Sequence, residues 1–189
     1  MSLHPPASQL VASGQHAFSA AELNRIETLG DTLSFIPATL GGYGATDTAK
    51  RITKIAPIDY SPETRWIYDR LYRVVGILNR QFRFNLAFFR EALQFMVYRD
   101  VEGGHFGWHS DQGPTVKRQL SLTLQLTDPA GYEGGVLEFR HDGQTMTAPR
   151  ERGTLIAFPS HVVHRVTPVT AGTRKSIVAW IPPSDTPPA

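Results

Sequence analysis

His109 and Asp111, in Gly107-Trp108-His109-Ser110-Asp111, are followed fifty-three positions later by His164, in Phe158-Pro-Ser-His-Val-Val-His164-Arg-Val-Thr-Pro-Val. Two imidazoles and one carboxylate form the donor set that holds Fe(II) on one face of an octahedron and leaves the opposite face open. A spacing of two turns both side chains of the first pair to one side only on a β-strand, since on a helix the same spacing splays them apart. The reading therefore places His109 and Asp111 on a strand entered through Phe106 and ended by Gly113-Pro114, with Trp108 and Ser110 on the other face. Taken alone the pair means little, because this composition yields about 0.3 His-x-Asp pairs by accident.

What lifts the pair above chance is Arg174, ten residues past His164, in Thr170-Ala-Gly-Thr-Arg174-Lys-Ser176-Ile-Val-Ala-Trp180. A turn there leads into an alternating, β-branched strand, and a guanidinium on it can fork onto a carboxylate through two parallel hydrogen bonds.

With these residues the chain resembles the iron(II)/2-oxoglutarate-dependent dioxygenases. The surrounding text (Tyr98, Gln119-Leu-Ser-Leu-Thr, Tyr132-Glu-Gly-Gly-Val-Leu-Glu-Phe, Phe158-Pro-Ser) is similar to the prolyl-4-hydroxylase-like branch and its bacterial PKHD-type hydroxylases, over roughly residues 91–181. The resemblance implies Fe(II) on His109, Asp111 and His164, with 2-oxoglutarate and O2 taking the open positions and ascorbate as an optional accessory. It implies hydroxylation of an unactivated carbon, of an amino-acid or peptidyl side chain, with release of succinate and CO2; the substrate would be a peptide or, as the alternative, a free amino acid or other small metabolite. Arg174 would hold the distal carboxylate of 2-oxoglutarate and Ser176, on the same strand face, would add a hydroxyl. Tyr98 would add another hydrogen bond, or else pack within its strand. Relatives often carry a cosubstrate-binding Tyr near residues 119–126, where this chain offers Thr123 or Gln125 instead.

Neighbouring classes fit less well. A cupin would need a His-x-His pair, the halogenase branch lacks the carboxylate that Asp111 supplies, and nucleic-acid demethylases carry a second Arg soon after the first, where this chain reads Lys-Ser-Ile-Val-Ala-Trp. A protein that uses the same site to sense 2-oxoglutarate or iron and bind a partner is the alternative to catalysis.

The elements that must position these residues divide near residue 90. Before it, Ser19-Ala-Ala-Glu22 is a capping box opening a helix to about Thr28. Ser61-Pro62 reads as an N-cap with proline in the first turn of a second helix, its apolar stripe Trp66/Ile67, Leu71, Val74/Val75 and Leu78. Between them Leu40-Gly-Gly-Tyr-Gly-Ala-Thr-Asp-Thr is a surface loop or, in its functional reading, a lid over substrate.

After residue 90 come short alternating runs, residues 92–99, 119–126, 136–140, 154–158, 162–169 and 175–181, broken by Gly, Pro and Asp. The expectation is a mainly β (α+β) double-stranded β-helix, or jelly roll, residues 91–189, with the helical and lid segment 1–90 packed on it as a buttress. On 119–126, alternation puts Ser121, Thr123 and Gln125 on a polar inner wall and Leu120, Leu122, Leu124 and Leu126 on the other face. His161 faces away from the metal, His105 and His141 sit in turns, Arg165 points away, and Trp108, Trp180 and Phe139 belong to the core.

Composition bounds the partners. The 189 residues are 41% hydrophobic and 19% charged, as in a globular domain. Lys and Arg lead Asp and Glu by eleven to eight up to residue 99 and trail by eight to nine after it, with no basic block, so nucleic acid is not expected. A chain without cysteine suits a reducing cytoplasm and has no thiolate metal site. Lack of a signal-peptide pattern or a bilayer-length apolar run points away from export and membranes. Substrate choice is expected to reside in the first ninety residues, in the Gly40s loop and in Lys50-Arg51 to Lys54, which would meet an anionic substrate.

Overall fold

The computed structural model describes residues 10–38, 47–113 and 117–185, so the loop at 40–48 lies outside the described residues as far as residue 46. In chain order come β1 (Ala12–Gly14), α1 (Ala20–Thr32), β2 (Ile36–Pro37), β3 (Arg51–Ile52), β4 (Lys54–Ile58) and α2 (Arg65–Leu78). Then follow β5 (Leu93–Arg99), β6 (His105–His109), β7 (Leu120–Gln125), β8 (Tyr132–Gly134), β9 (Leu137–His141), β10 (Gln144–Thr147), β11 (Leu155–Pro159), β12 (Val163–Val166) and β13 (Val169–Ile181).

The strands make two antiparallel sheets. The larger runs β1-β11-β7-β13-β5-β4-β2, with β8 also paired to β13, and the smaller runs β10-β9-β12-β6-β3. This is the expected jelly roll with two buttressing helices. The strands of the first ninety residues were not anticipated. Alternation is too short to register in two or three residues, and Pro57 interrupts Lys54–Ile58, where it is tolerated because β2 covers β4 only at Lys54 and Ile55.

Period-two alternation sorts each strand of the large sheet between two cores. On its outer face Leu93, Phe95, Leu120, Leu122, Leu124, Ile177 and Ile181 pack with Leu23 and Ile26 of α1 and Ile67, Tyr68, Leu71 and Val75 of α2. On its inner face Met96, Tyr98, Ile156 and Phe158 meet Leu137, Phe139 and Val166 of the small sheet. Strands with one face on helices and the other on a second sheet must bury both, hence the continuous burial of β7.

The capping box at Ser19 forms in both directions, Ser19 N–H donating to Glu22 Oε2 at 2.7 Å and Glu22 N–H to Ser19 Oγ at 3.3 Å. α1 runs a turn past Thr28, and Gly30 allows it: a Cβ at that position would lie 2.5 Å from the Phe95 ring, so only glycine lets the helix approach the sheet this closely. α2 starts at Arg65, later than the Ser61-Pro62 signal, because the Ser61 hydroxyl donates to Glu63 at 2.7 Å instead of capping the first turn. Thr64 closes that turn, donating to the Asp59 carbonyl at 2.5 Å.

Tyr68 is the bolt between α2 and the large sheet: its hydroxyl donates to the Ile58 carbonyl at 2.5 Å and accepts from Leu93 N–H at 3.1 Å. Tyr68→Phe leaves two buried backbone groups without partners, and a loss of about 1–3 kcal/mol is expected. The change would be read as a lower urea midpoint at constant slope. Among the described residues no helix is long and apolar enough to cross a membrane.

Candidate metal centre and its cavity

β6 and β12 lie side by side with His109 and His164 as directly facing partners, so a single cross-strand pair brings the two imidazoles together, ring centroids 4.2 Å apart. β6 ends at His109, and Asp111 lies past it rather than on the strand as expected. The Ser160 carbonyl accepts from Asp111 N–H at 3.0 Å and from Gln112 N–H at 3.1 Å, which bends the chain back while keeping the carboxylate on the histidine side. The ligand-type atoms of His109, Asp111 and His164 all fall within 4.8 Å of one another. Asp111 Oδ1 is 3.7 Å from His109 Nε2, and Oδ2 is 3.5 Å from His164 Nε2.

Both imidazoles are oriented by their own strands. His109 Nδ1 lies 2.8 Å from the Gly107 carbonyl and His164 Nδ1 lies 2.9 Å from the Val162 carbonyl. A carbonyl only accepts, so each Nδ1 carries a proton, and each Nε2 lies on the side of the Asp111 carboxylate. Burial, reinforced by repulsion from His164 and opposed by Asp111, pushes His109 down to about 3. Burial raises Asp111, but the two imidazoles and the Ser121 hydroxyl outweigh it and hold the carboxyl below its usual range. A neutral His109 nitrogen and an anionic Asp111 oxygen are therefore ready as ligands without losing a proton.

Ser121 is completely buried, donates to Asp111 Oδ2 at 2.7 Å and has the Ser160 hydroxyl 2.9 Å away. The sequence placed Ser121 on the polar wall of β7 without giving it a role. The signal was there in its offset of two from Thr123. Ser121→Ala frees the carboxylate to rotate, and metal affinity is expected to fall roughly 10–100-fold, the usual effect of removing a ligand's supporting hydrogen bond. Titration of Mn(II) into the apoprotein measures it.

A cavity of about 630 Å3 opens in front of the triad, lined by His109, Asp111 and His164, and by Tyr98, Thr123, Arg174, Ser176, Met96, Phe106, Arg51, Arg118 and Trp180 among others. Arg174, 1% exposed, pairs across strands with Tyr98 and lies over its ring at 5.4 Å. Its Nη2 donates to Gln125 Oε1 at 2.9 Å and its Nη1 to Ser176 Oγ at 3.4 Å, and its Nε meets no acceptor. Gly135, at a φ of 56°, lets the loop pass the arginine, since a Cβ there would come within 3.0 Å of its Cδ. Gln125 is not part of the cavity wall; it binds Arg174 and, through its Nε2, the Pro149 carbonyl at 3.1 Å.

The other conspicuous residues fall as follows. Trp108 is sandwiched between the Arg140 and Arg165 guanidiniums at 4.2 and 4.5 Å, a half-buried stack and not core. Arg165 turns away to Glu138 at 2.6 Å, and His161 is exposed. Phe139 is core, 4.9 Å from Phe158. Trp180 is buried but lines the cavity, with Arg118 over its ring at 3.6 Å and that guanidinium forked onto Glu91.

Residues 93–182 match the family described as the 2OG-Fe(II) oxygenase superfamily. A PKHD-type hydroxylase of Colwellia psychrerythraea is 36% identical over 100 residues, 50% of this chain and 45% of that protein. One from Paraburkholderia xenovorans is 32% identical over 171 residues, 83% of this chain and 70% of that protein. The chain thus spans about half the length of the first of these relatives. Among solved structures, a Pseudomonas putida prolyl-4-hydroxylase superposes with a TM-score of 0.74 at 20% identity, over 94% of this chain and 95% of that one. A Trichoplax adhaerens prolyl hydroxylase, in complex with a hypoxia inducible factor peptide fragment, superposes at 0.75 and 16% identity, over 93% and 84%. At these identities the two structures speak for the fold.

Proposed function

We propose, for a chain that belongs to the 2OG-Fe(II) oxygenase superfamily and within it to the PKHD-type hydroxylases, that it hydroxylates an unactivated carbon of an amino-acid or peptidyl side chain. In this reaction substrate C–H, 2-oxoglutarate and O2 become C–OH, succinate and CO2. The observation that carries the reading is one cavity holding both the triad and a buried guanidinium with no carboxylate in ion-pairing distance among the described residues. An arginine kept from water without an acid is costly unless an anion joins it, and 2-oxoglutarate is a dianion. The residues present fit both groups.

His109, Asp111 and His164 would hold Fe(II), and the neutral His109 imidazole and ionised Asp111 carboxylate have no proton to be displaced. Arg174 would receive the distal carboxylate, with Ser176 and the Tyr98 phenol beside it and Thr123 on the neighbouring strand of the same wall. Gln125 keeps one Arg174 nitrogen directed and leaves the rest of the fork for the ligand. Bound iron, cosubstrate and oxygen supply the oxidising power. The apolar wall of Met96, Leu137, Phe158 and Val178 keeps water from the reacting face.

We place substrate selection in the first ninety residues and the protein in a reducing cytoplasm, as a ferrous ion and a chain without cysteine both suit. The test is single-turnover oxygen exposure of protein loaded anaerobically with Fe(II) and 2-oxoglutarate. Succinate formed in step with oxygen consumed supports an oxygenase. Binding of both with no succinate beyond a slow uncoupled trickle makes the protein a sensor.

A further inference from the structure

We propose that Arg51 is the substrate's anion site, so that the molecule hydroxylated is a free carboxylic acid of amino-acid size. This rests on the oxygenase reading above and names the substrate class within it.

Among the described residues three guanidiniums line the cavity, Arg51, Arg118 and Arg174, against two carboxylates, Glu91 and Asp111. Glu91 is forked onto Arg118, and Asp111 faces the imidazoles while its charge also acts on Arg51. Arg174 lies on the large sheet beside Ser176 and Tyr98, where the cosubstrate is placed. Arg51 belongs to the opposite wall, on β3 at the edge of the small sheet, paired in register with Phe106 of β6. Arg51 therefore brings a positive charge to the part of the cavity away from the cosubstrate end.

Its position relative to the metal centre is built through one aromatic ring. The Arg51 guanidinium lies over Phe106 at 4.4 Å, and Phe106 stacks on His109 with centroids 3.4 Å apart. An acid gripped at Arg51 thus has a span of about amino-acid length between its carboxylate and the metal ligands. Arg51 Nη2 also reaches Met96 Sδ at 3.8 Å, across to the large sheet, and further contacts within the fold hold the side chain in place. A guanidinium carries five N–H donors, so a held arginine still has donors to offer. Ile36, Pro37 and Ile55 line the cavity beside it and would cover the carbon chain of such a ligand. Burial lowers the Arg51 pKa, a cost that a bound anion would relieve.

The test uses the full chain loaded with Mn(II) and 2-oxoglutarate, titrated calorimetrically with the free L-amino acids and, as matched probes, their carboxamides. At least one acid should bind, its amide roughly ten- to hundredfold more weakly, since a forked charge-assisted contact is lost. In Arg51→Gln the acid and its amide should become equal while 2-oxoglutarate affinity stays at the wild-type value. Should that variant not fold, Arg51→Lys carries the test: it keeps the charge without the fork, and acid affinity must still fall.

No acid binding to wild type, an amide bound as well as its acid, a preference surviving in Arg51→Gln, or unchanged acid affinity in Arg51→Lys would each overturn the proposal. So would a fall in 2-oxoglutarate affinity in Arg51→Gln, which would assign Arg51 to the cosubstrate. Wild type that fails to bind 2-oxoglutarate in the first titration step defeats the oxygenase reading itself, and this inference with it.

Discussion

Arg174→Met is expected to weaken 2-oxoglutarate binding by roughly 10–150-fold, the equivalent of the 1.5–3 kcal/mol that a hydrogen-bonded charge contributes, while metal affinity is unchanged. Arg174 is 1% exposed, and among the described residues no carboxylate comes within ion-pairing distance of it. The folded protein without ligand therefore carries an uncompensated buried charge, and methionine of similar reach removes it. Two losses oppose the gain: Gln125 Oε1 gives up its donor at 2.9 Å, although Gln125 Nε2 keeps the Pro149 carbonyl, and Ser176 Oγ gives up a longer one at 3.4 Å. The melting temperature of the ligand-free variant should equal or exceed wild type, the mark of a residue kept for binding at the expense of stability. A calorimetric titration with 2-oxoglutarate beside a thermal melt reads both. Unchanged cosubstrate affinity would move the anion site elsewhere, and a large fall in melting temperature would make Arg174 a structural residue.

His109→Ala should remove tight divalent-metal binding, by more than the roughly 10–100-fold that loss of a supporting hydrogen bond costs, because one of three donors disappears. The corresponding change at His164 separates ligation from packing. His164 is 5% exposed, with Phe158 4.7 Å and Phe139 6.3 Å from its ring, so His164→Ala also leaves a hole between the sheets. A stability loss of about 2–4 kcal/mol should accompany its loss of metal. His109 lies nearer the cavity mouth, stacked on Phe106, and its alanine variant should stay closer to wild-type stability. Anaerobic Fe(II) titration with parallel urea unfolding distinguishes the two effects. Wild-type metal affinity in either variant would dissolve the triad.

The central chemistry was legible in the chain because it follows from local period. A strand alternates with period two, so the hydroxyls and amide of residues 121, 123 and 125 had to share one face and the leucines between them the other. The same rule put Ser176 beside Arg174, whereas exposed His161 is kept from His164 by lying in the turn before β12 and not by alternation on the strand. The stripe of α2 was visible for a similar reason, at period 3.6.

Other features depend on which strand lies next to which, and no local pattern carries that. Lys54–Ile58 and Arg51–Ile52 became strands because β5 and β6 offered them edges. Asp111 joined the imidazoles through the Ser160 carbonyl, forty-nine residues on, and not through a continuous strand. Gln125 shared a face with Thr123 yet turned to Arg174, since a buried guanidinium captures the nearest amide oxygen before a cavity can use it. Arg51, read in the sequence only as one cation of the 50–54 segment, became a cavity wall when β3 paired with β6 and laid it across Phe106. Side-chain alternation is a property of a few consecutive residues, whereas pairing across long stretches of chain is decided by the burial of whole faces, and it is this burial that brought Arg51 and the supports of Asp111 to the metal centre.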